Sequence, residues 1–248
     1  MSEEIHNRFD RLADGYARYR PVCPAELVHQ IALACSRHTQ AWEPGCGSGQ
    51  ITHMLAEKFQ HVLATDPAVS AIERAPQCDG VRFAVGDASH CDLPNHSVNL
   101  IVSAQAAHWF DMQTFATEVR RVAADGAVVA VWCYDRPRVT DAIDEVVDHF
   151  YFEVLRGCWD DGRRHIDTRY SDLVFPFDER QVDSPNYTAT WSIDDMLGYL
   201  GTWSAGDTFY EQTGRRAVVE IEAQLRSVWG MGVHEVRWPT AMRLGVVS

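Results

Sequence analysis

A basic surplus is missing from this chain. Of its 248 residues, 22 are Lys or Arg against 35 Asp or Glu, a formal net charge of −13. Affinity for nucleic acid rests largely on clustered Lys and Arg that neutralise phosphates, so nucleic acid is not an expected partner. An anionic ligand would need a local basic pocket to hold it against the overall field. Long apolar runs are missing too. The opening MSEEIHNRFDRLADG is acidic without an apolar signal segment, and no later stretch approaches the roughly 18 apolar residues of a membrane span. A cytoplasmic protein with no membrane partner is the expectation. Paired cysteines are also absent: Cys23, Cys35, Cys46, Cys78, Cys91, Cys133 and Cys158 are scattered and contain no C-x-x-C, so reduced structural thiols are expected rather than disulfides or a zinc site. There is no internal repeat or low-complexity tract. With 46% hydrophobic residues and 8 Trp the chain should fold through most of its length, as one α/β domain with an elaboration.

What is present is an alternation of short apolar runs with amphipathic ones. A helical spacing over Ala25 to Ala34 precedes a strand around Gln40 to Glu43, and Ile51, Met54, Leu55 and Phe59 then share one face of a helix. HVLATD (His61 to Asp66), VRFAVGD (Val81 to Asp87), VNLIVSA (Val98 to Ala104) and GAVVAVW (Gly126 to Trp132) read as four further strands at crossover spacing, with a helix through Val119 and Val122 before the last. Such strands predict a parallel sheet covered on both faces by right-handed crossovers, with ligands at its carboxyl edge. After Tyr134 the pattern predicts one long helix over DRPRVTDAIDEVVDHFYFEVLRG. A Trp-, Asp- and Arg-dense lid or pocket segment follows over Gly157 to Tyr170, then turns through FPFDERQVDSP and a strand over Thr188 to Ile193. Helices over Asp194 to Leu200 and Thr213 to Trp229 precede a terminal strand in VRWPTAMRLGVV, broken at Pro239.

Between the first strand and its helix lies WEPGCGSGQ, Trp42 to Gln50. Glycines in such a turn let backbone N–H groups approach a ligand, and the following helix start favours negative charge. A phosphate, a carboxylate or the carboxylate end of an amino acid all suit it. From Gly45 the sixth position is Gln50 and from Gly47 it is Thr52, so the third glycine of the dinucleotide fingerprint is missing; no Gly-Lys-Ser or Gly-Lys-Thr completes a P-loop. What remains is E-x-G-x-G-x-G with Asp66 ending the second strand, where a carboxylate can accept both hydroxyls of a ribose. Asp66 before Pro67 also has the pattern of a helix N-cap with Pro at the first helical position, compatible with that role.

On these residues the chain resembles the class I S-adenosylmethionine (SAM)-dependent methyltransferases. More narrowly, it is similar to the small-molecule branch that includes trans-aconitate methyltransferase. The likeness is carried by YARYRP (Tyr16 to Pro21), EPGCGSG (Glu43 to Gly49), VGDA (Val85 to Ala88), AQAAHWFD (Ala104 to Asp111) and RRVAADGAVVAVW (Arg120 to Trp132). It runs from about Phe9 to Tyr134, with weaker likeness in FPF and the terminal segment. The resemblance implies an α/β fold: a doubly wound, mostly parallel, Rossmann-like seven-stranded sheet with a C-terminal helical cap. Residues 1–38 would form a helical lid, 39–134 the cofactor core, and 135–248 the cap helices and terminal strands of one domain. It implies SAM as cofactor, S-adenosylhomocysteine as product, and no metal.

The resemblance also implies roles. Glu43, Gly45, Gly47 and Gly49 would line the methionine part, Asp66 with Pro67 the ribose, and Asp87 beside Ala88 the adenine amino group. Gln105 would face the methionine end and the substrate. His108 and Trp109 would border the acceptor pocket, and Tyr16 and Arg20 would close over it. Plainer readings stay open: Asp87 as a turn cap, His108 and Trp109 as core packing, Tyr16 and Arg20 as an ordinary helix face. Ala124 and Asp125 depart from the family's usual Lys-Pro in a surface turn, and Pro44 stiffens the glycine turn.

Methyl transfer needs alignment more than catalytic groups, and alignment can supply roughly 7–11 kcal/mol of the barrier. A carboxylate acceptor is already ionised at neutral pH, whereas a phenol, amine or ring nitrogen would call on Tyr16 or His108 to take a proton. Arg20 with Arg163 or Arg164 of WDDGRRH would grip carboxylates that are not methylated, the alternative being a solvated arginine pair. The expected activity is methylation of a small, carboxylate-bearing metabolite by a monomer or homodimer. N- or O-methylation of a heteroaromatic or phenolic metabolite is the alternative, with Trp109, Trp159 and Trp203 as pocket candidates. A non-catalytic SAM-binding regulatory module is the reading from another class, and a nicotinamide oxidoreductase ranks last.

Overall fold

The structure, a computed structural model, describes residues 19–247. Tyr16 and most of the expected lid lie outside them. The five apolar runs form β1 (Gln40–Pro44), β2 (His61–Asp66), β3 (Val81–Val85), β4 (Val98–Ala104) and β5 (Ala123–Tyr134). They pair in parallel in the order β3-β2-β1-β4-β5. Two later strands, β6 (Asp178–Arg180) and β9 (Thr240–Val246), extend the sheet: β9 runs antiparallel to β5, and β6 antiparallel to β9. The result is seven strands of which β9 alone is reversed. Helices α1 (Ala25–Leu33), α2 (Thr52–Ala56), α3 (Val69–Arg74) and α4 (Met112–Val122), with a 3₁₀ turn at Ala107–Trp109, make the connections.

β5 shows why these strands read as unbroken apolar runs. Val128, Ala130, Trp132 and Tyr134 enter the core on one face of the sheet, and Val129, Val131 and Cys133 enter the core on the other, the period-2 alternation of a strand buried on both sides. β5 begins earlier than GAVVAVW, at Ala123, and its pairing with β4 jumps from Val98–Ala123 to Leu100–Val128. Asp125 and Gly126 sit exposed in that irregularity.

The C-terminal part builds a cap from α5 (Asp141–His149), α6 (Arg163–Asp167), α7 (Ile193–Leu200), α8 (Ala205–Thr213) and α9 (Val219–Trp229), with a separate antiparallel pair of β7 (Tyr187–Trp191) and β8 (His234–Trp238). α9 packs on α5 and α7. Several boundaries differ from expectation for local reasons. The long helix starts only at Asp141, because Arg138 pairs through its backbone with Arg237 and Thr140 caps the helix; it then passes into a π turn at Phe150–Val154. Ser192 and Asp195 form a capping box that ends β7 and starts α7. The helix expected from Thr213 begins only at Val219, because Thr213 ends α8, which was not expected, and Gly214, at φ 70°, caps that end. Pro239 splits the terminal stretch into β8 and β9, which join different sheets.

Candidate active site

The chain leaves β1 through the glycine turn at the carboxyl edge of the sheet. Gly45 and Cys46 donate their N–H groups to the Thr65 carbonyl at 2.7 and 3.1 Å. Gly47 N–H donates to Asp66 Oδ2 and Ala68 N–H to Asp66 Oδ1, both at 2.9 Å. Asp66 thus ties the glycine turn to the segment entering α3. That helix begins at Val69 with Ala68 as its cap residue, so Pro67 precedes the helix and Asp66 holds the turn ahead of it rather than serving as the N-cap. A Cβ on Gly45 would stand 2.5 Å from Ala106 Cβ, whereas one on Gly47 would meet nothing within 4 Å. The turn is braced on one side and open on the other.

Beneath it, Glu43 is 2% exposed and accepts the Thr52 hydroxyl at 2.6 Å. Burial, opposed by the Thr52 bond and reinforced by Asp66, pushes the carboxyl from 4.5 up to about 8. Between those values the folded chain holds a proton that the unfolded chain has lost, so this group's contribution to stability falls as pH rises from about 4.5 to about 8. Glu43→Gln keeps an acceptor for Thr52 and removes the titration. Its melting temperature is expected to gain on the parent at the upper end of this window, by roughly 2–4 °C per kcal/mol recovered, and to show no such gain at the lower end. Thermal unfolding at both pH values checks this; an offset independent of pH would show that Glu43 does not titrate there.

Beyond β3, Asp87 Oδ1 accepts the Ser89 N–H at 2.8 Å and the Ser89 hydroxyl, which hold its carboxyl below the usual range. It caps a turn at the same sheet edge, beside buried Ala88. Beyond β4, Gln105 sits at φ 53°. Its N–H donates to the Trp132 carbonyl at 2.9 Å and its Nε2 to the Tyr134 carbonyl at 3.1 Å, leaving buried Oε1 without a partner.

A cavity of about 70 Å³ lies between this edge and the cap. Gln105, His108 and Trp109 line it from the sheet side, and Arg20, Trp159, Asp160, Arg163 and Trp203 from the other. Arg20 donates to the Tyr134 hydroxyl and to the Thr202 carbonyl, each at 3.1 Å. Arg163 donates through Nε to the Tyr151 hydroxyl at 2.8 Å, and its guanidinium lies 4.8 Å from the Trp159 ring centroid. Tyr151 belongs to the π turn and donates in turn to Asp167 at 2.6 Å; π turns often mark functional sites. His108 Nδ1 lies 2.9 Å from the Tyr170 hydroxyl. Burial, with Arg163 and His165 nearby, holds the imidazole's pKa down to about 3.

The structure therefore brings Arg20, Gln105, His108, Trp109 and Arg163 to one cavity, together with Trp159 and Trp203. Arg164, one residue along α6, is exposed and outside it. Tyr151, Thr202 and Tyr170 were not anticipated, although Tyr170 ends the segment singled out for its Trp, Asp and Arg. The buried thiols stay protonated; burial pushes Cys133 up to about 12 and Cys23 to about 11. Among the described residues, no helix is long and apolar enough to cross a membrane, and no group of three or more His, Cys, Asp or Glu is placed to hold a metal ion.

A family model described as a methyltransferase domain matches residues 42–131. A Dictyostelium discoideum protein named as a methyltransferase is 31% identical over 226 residues, spanning 90% of this chain and 86% of that protein. The chain belongs to the class I SAM-dependent methyltransferases. A solved structure named as a type II methyltransferase, from Anaeromyxobacter dehalogenans, matches this methyltransferase with a TM-score of 0.85 and 39% identity, covering 92% of this chain and 98% of that one. An uncharacterized methyltransferase of Mycobacterium tuberculosis is 32% identical over 127 residues, 51% of its own length. The seven-stranded sheet with one reversed strand is the fold that the resemblance implied.

Proposed function

We propose that this methyltransferase methylates a small, carboxylate-bearing acceptor held in the cavity between the sheet edge and the cap. The observation that carries the acceptor class is the convergence of two guanidinium groups, Arg20 and Arg163, on one cavity where Asp160 is the opposing charge. Planar guanidinium groups suit bidentate recognition of carboxylates.

The residues present fit the cofactor. Gly47 faces open space. Asp66, bonded to the Gly47 and Ala68 N–H groups, sets a carboxylate at the end of β2 beside the glycine turn, where a ribose diol is expected. Gln105 Oε1 is a buried acceptor with no partner, suited to an ammonium group. In this reading Glu43, Gly45, Gly47 and Gly49 support the methionine end, Asp66 and Pro67 the ribose, and Asp87 and Ala88 the adenine. When bound, SAM supplies a methyl group on a sulfonium; a carboxylate oxygen takes it with a lone pair it already holds, the C–S pair stays on sulfur, and no proton moves. The protein's work is then to align the acceptor and exclude water. Arg20 and Arg163 hold it by the carboxylates that are not methylated, and the tryptophans enclose it.

The test is calorimetric titration with SAM, followed by S-adenosylhomocysteine formation with trans-aconitate against a no-acceptor control. One site per chain and acceptor-dependent product are expected. No SAM binding would sink the reaction, and binding without turnover on any acceptor would return the regulatory module. Methylation of phenols or heteroaromatic rings is the second reading, favoured by Trp109, Trp159 and Trp203 sharing the cavity wall. Turnover on such rings but not on carboxylates would select it.

A further inference from the structure

We infer that Tyr170 is a positioning residue that fixes His108 as a hydrogen-bond donor, through Nε2–H, toward the acceptor. The Tyr170 hydroxyl, on a fully buried side chain, lies 2.9 Å from His108 Nδ1, its one hydrogen-bond partner among the described residues. A phenol has one hydrogen and two lone pairs. Were Nδ1 to carry the proton and donate, the buried phenol hydrogen would have no acceptor; the hydrogen is therefore directed at Nδ1, which must be the unprotonated ring nitrogen. The single proton of the neutral imidazole is then on Nε2.

Tyr170 is held hard in this position. It is fully buried, and burial keeps its phenol protonated well above the ordinary range. Its backbone is left-handed at φ 61°, as is that of Arg169 at φ 54°, conformations that persist only where the surroundings over-determine them. Here Tyr170 N–H bonds the His165 carbonyl at 2.7 Å, and Arg243 of β9 donates to the Tyr170 and Leu173 carbonyls at 3.1 and 2.7 Å. Arg243 is itself fixed to Glu179 of β6 by bonds of 2.8 and 2.7 Å. From the same cap segment, Gly162 approaches the His108 carbonyl so closely that a Cβ would stand 2.6 Å from it.

The charged and titratable groups around His108 are Tyr170, with Arg163 and His165 of α6, and Arg20 and Asp160 on the cavity lining. Arg163 and His165 oppose a second proton on the ring. Resting on the methyl-transfer reading above, the acceptor atom that meets His108 is one with a lone pair, such as an ionised carboxylate oxygen. A hydroxyl that must give up its proton finds no base there. His108 thereby selects acceptors that arrive ionised.

The test is a long-range proton–nitrogen NMR spectrum of the full-length protein labelled with 15N-histidine, with His108 assigned by its loss in His108→Gln. Nδ1 is expected to be unprotonated and Nε2 protonated, unchanged between about pH 6 and 8. A proton on Nδ1, or titration inside that window, overturns the inference. Tyr170→Phe is expected to populate both tautomers and to raise KM for trans-aconitate about 10-fold, the worth of one hydrogen bond, with a smaller change in kcat. A folded Phe variant whose His108 signals match the parent's overturns it as well. If that variant does not fold, the parent spectrum decides alone. Calorimetric SAM binding by the parent is read separately, so failure of the methyl-transfer reading and failure of the tautomer are distinguishable.

Discussion

Gly47→Ala is expected to leave the protein folded but strongly weaken SAM binding, whereas Gly45→Ala is expected to lower both stability and SAM binding. The two glycines are two residues apart in one turn, and both have positive φ, 72° at Gly45 and 56° at Gly47. The left-handed conformation alone costs a non-glycine residue about 1–2 kcal/mol. At Gly47 that is the whole structural cost, since an added Cβ meets nothing within 4 Å. Against a typical stability of about 5–15 kcal/mol the variant stays folded. The new methyl group, however, enters the space proposed for the cofactor, and affinity is expected to fall about 100-fold or more. At Gly45 the Cβ would stand 2.5 Å from Ala106 Cβ and 3.3 Å from the Phe110 ring, so about 1–3 kcal/mol of overpacking is added to the strain. Relief requires moving the backbone next to Gln105. Thermal unfolding with calorimetric titration of each variant makes the comparison, and a Gly47→Ala protein that binds SAM with parental affinity would remove the cofactor from that face of the turn.

The sequence was most readable where one local segment determines the answer. Strands buried on both faces must be apolar throughout, so β1, β2, β4 and β5 stand out without any knowledge of their partners. β6 is the opposite case. Its three residues, Asp178, Glu179 and Arg180, are all exposed, and only pairing with β9 makes them a strand. The terminal stretch carried the signal of a break at Pro239 but not its consequence, because the choice of β7 for one half and β5 for the other depends on distant chain. The candidate site divides in the same way. Asp66 and the glycines are coupled by the pairing of adjacent strands, and their spacing betrays it. Tyr170 meets His108 from 62 residues away, and no periodicity encodes that meeting. Arg163 and Arg164 are indistinguishable as a dipeptide. They part because successive helical residues point about 100° apart, by the 3.6-residue turn, and α6 directs the first into the cavity.

That divergence sets up the second large effect. Arg163→Ala is expected to raise KM for trans-aconitate about 100-fold, the upper range for a hydrogen bond to a charged group, with a smaller change in kcat. Arg164→Ala should remain within about 2-fold, the scale of an exposed surface charge. Lysine should restore little at position 163. The guanidinium spans the Tyr151 hydroxyl, the Trp159 face and the cavity at once, and a single ammonium cannot hydrogen-bond, stack and present a planar edge together. Loss of packing on Trp159 would also lower stability, so thermal unfolding of the same variants separates a loosened cap from a lost ligand contact. Screening acceptors against Arg163→Ala then discriminates the chemistry. A neutral ring held by Trp109, Trp159 and Trp203 should tolerate the change, whereas a carboxylate should not. The chain carries a net charge of −13, so its overall field works against an anionic acceptor. Attraction for a carboxylate has to come from the local pair of Arg20 and Arg163, and removing one of them should give the large KM effect that a neutral acceptor would not show.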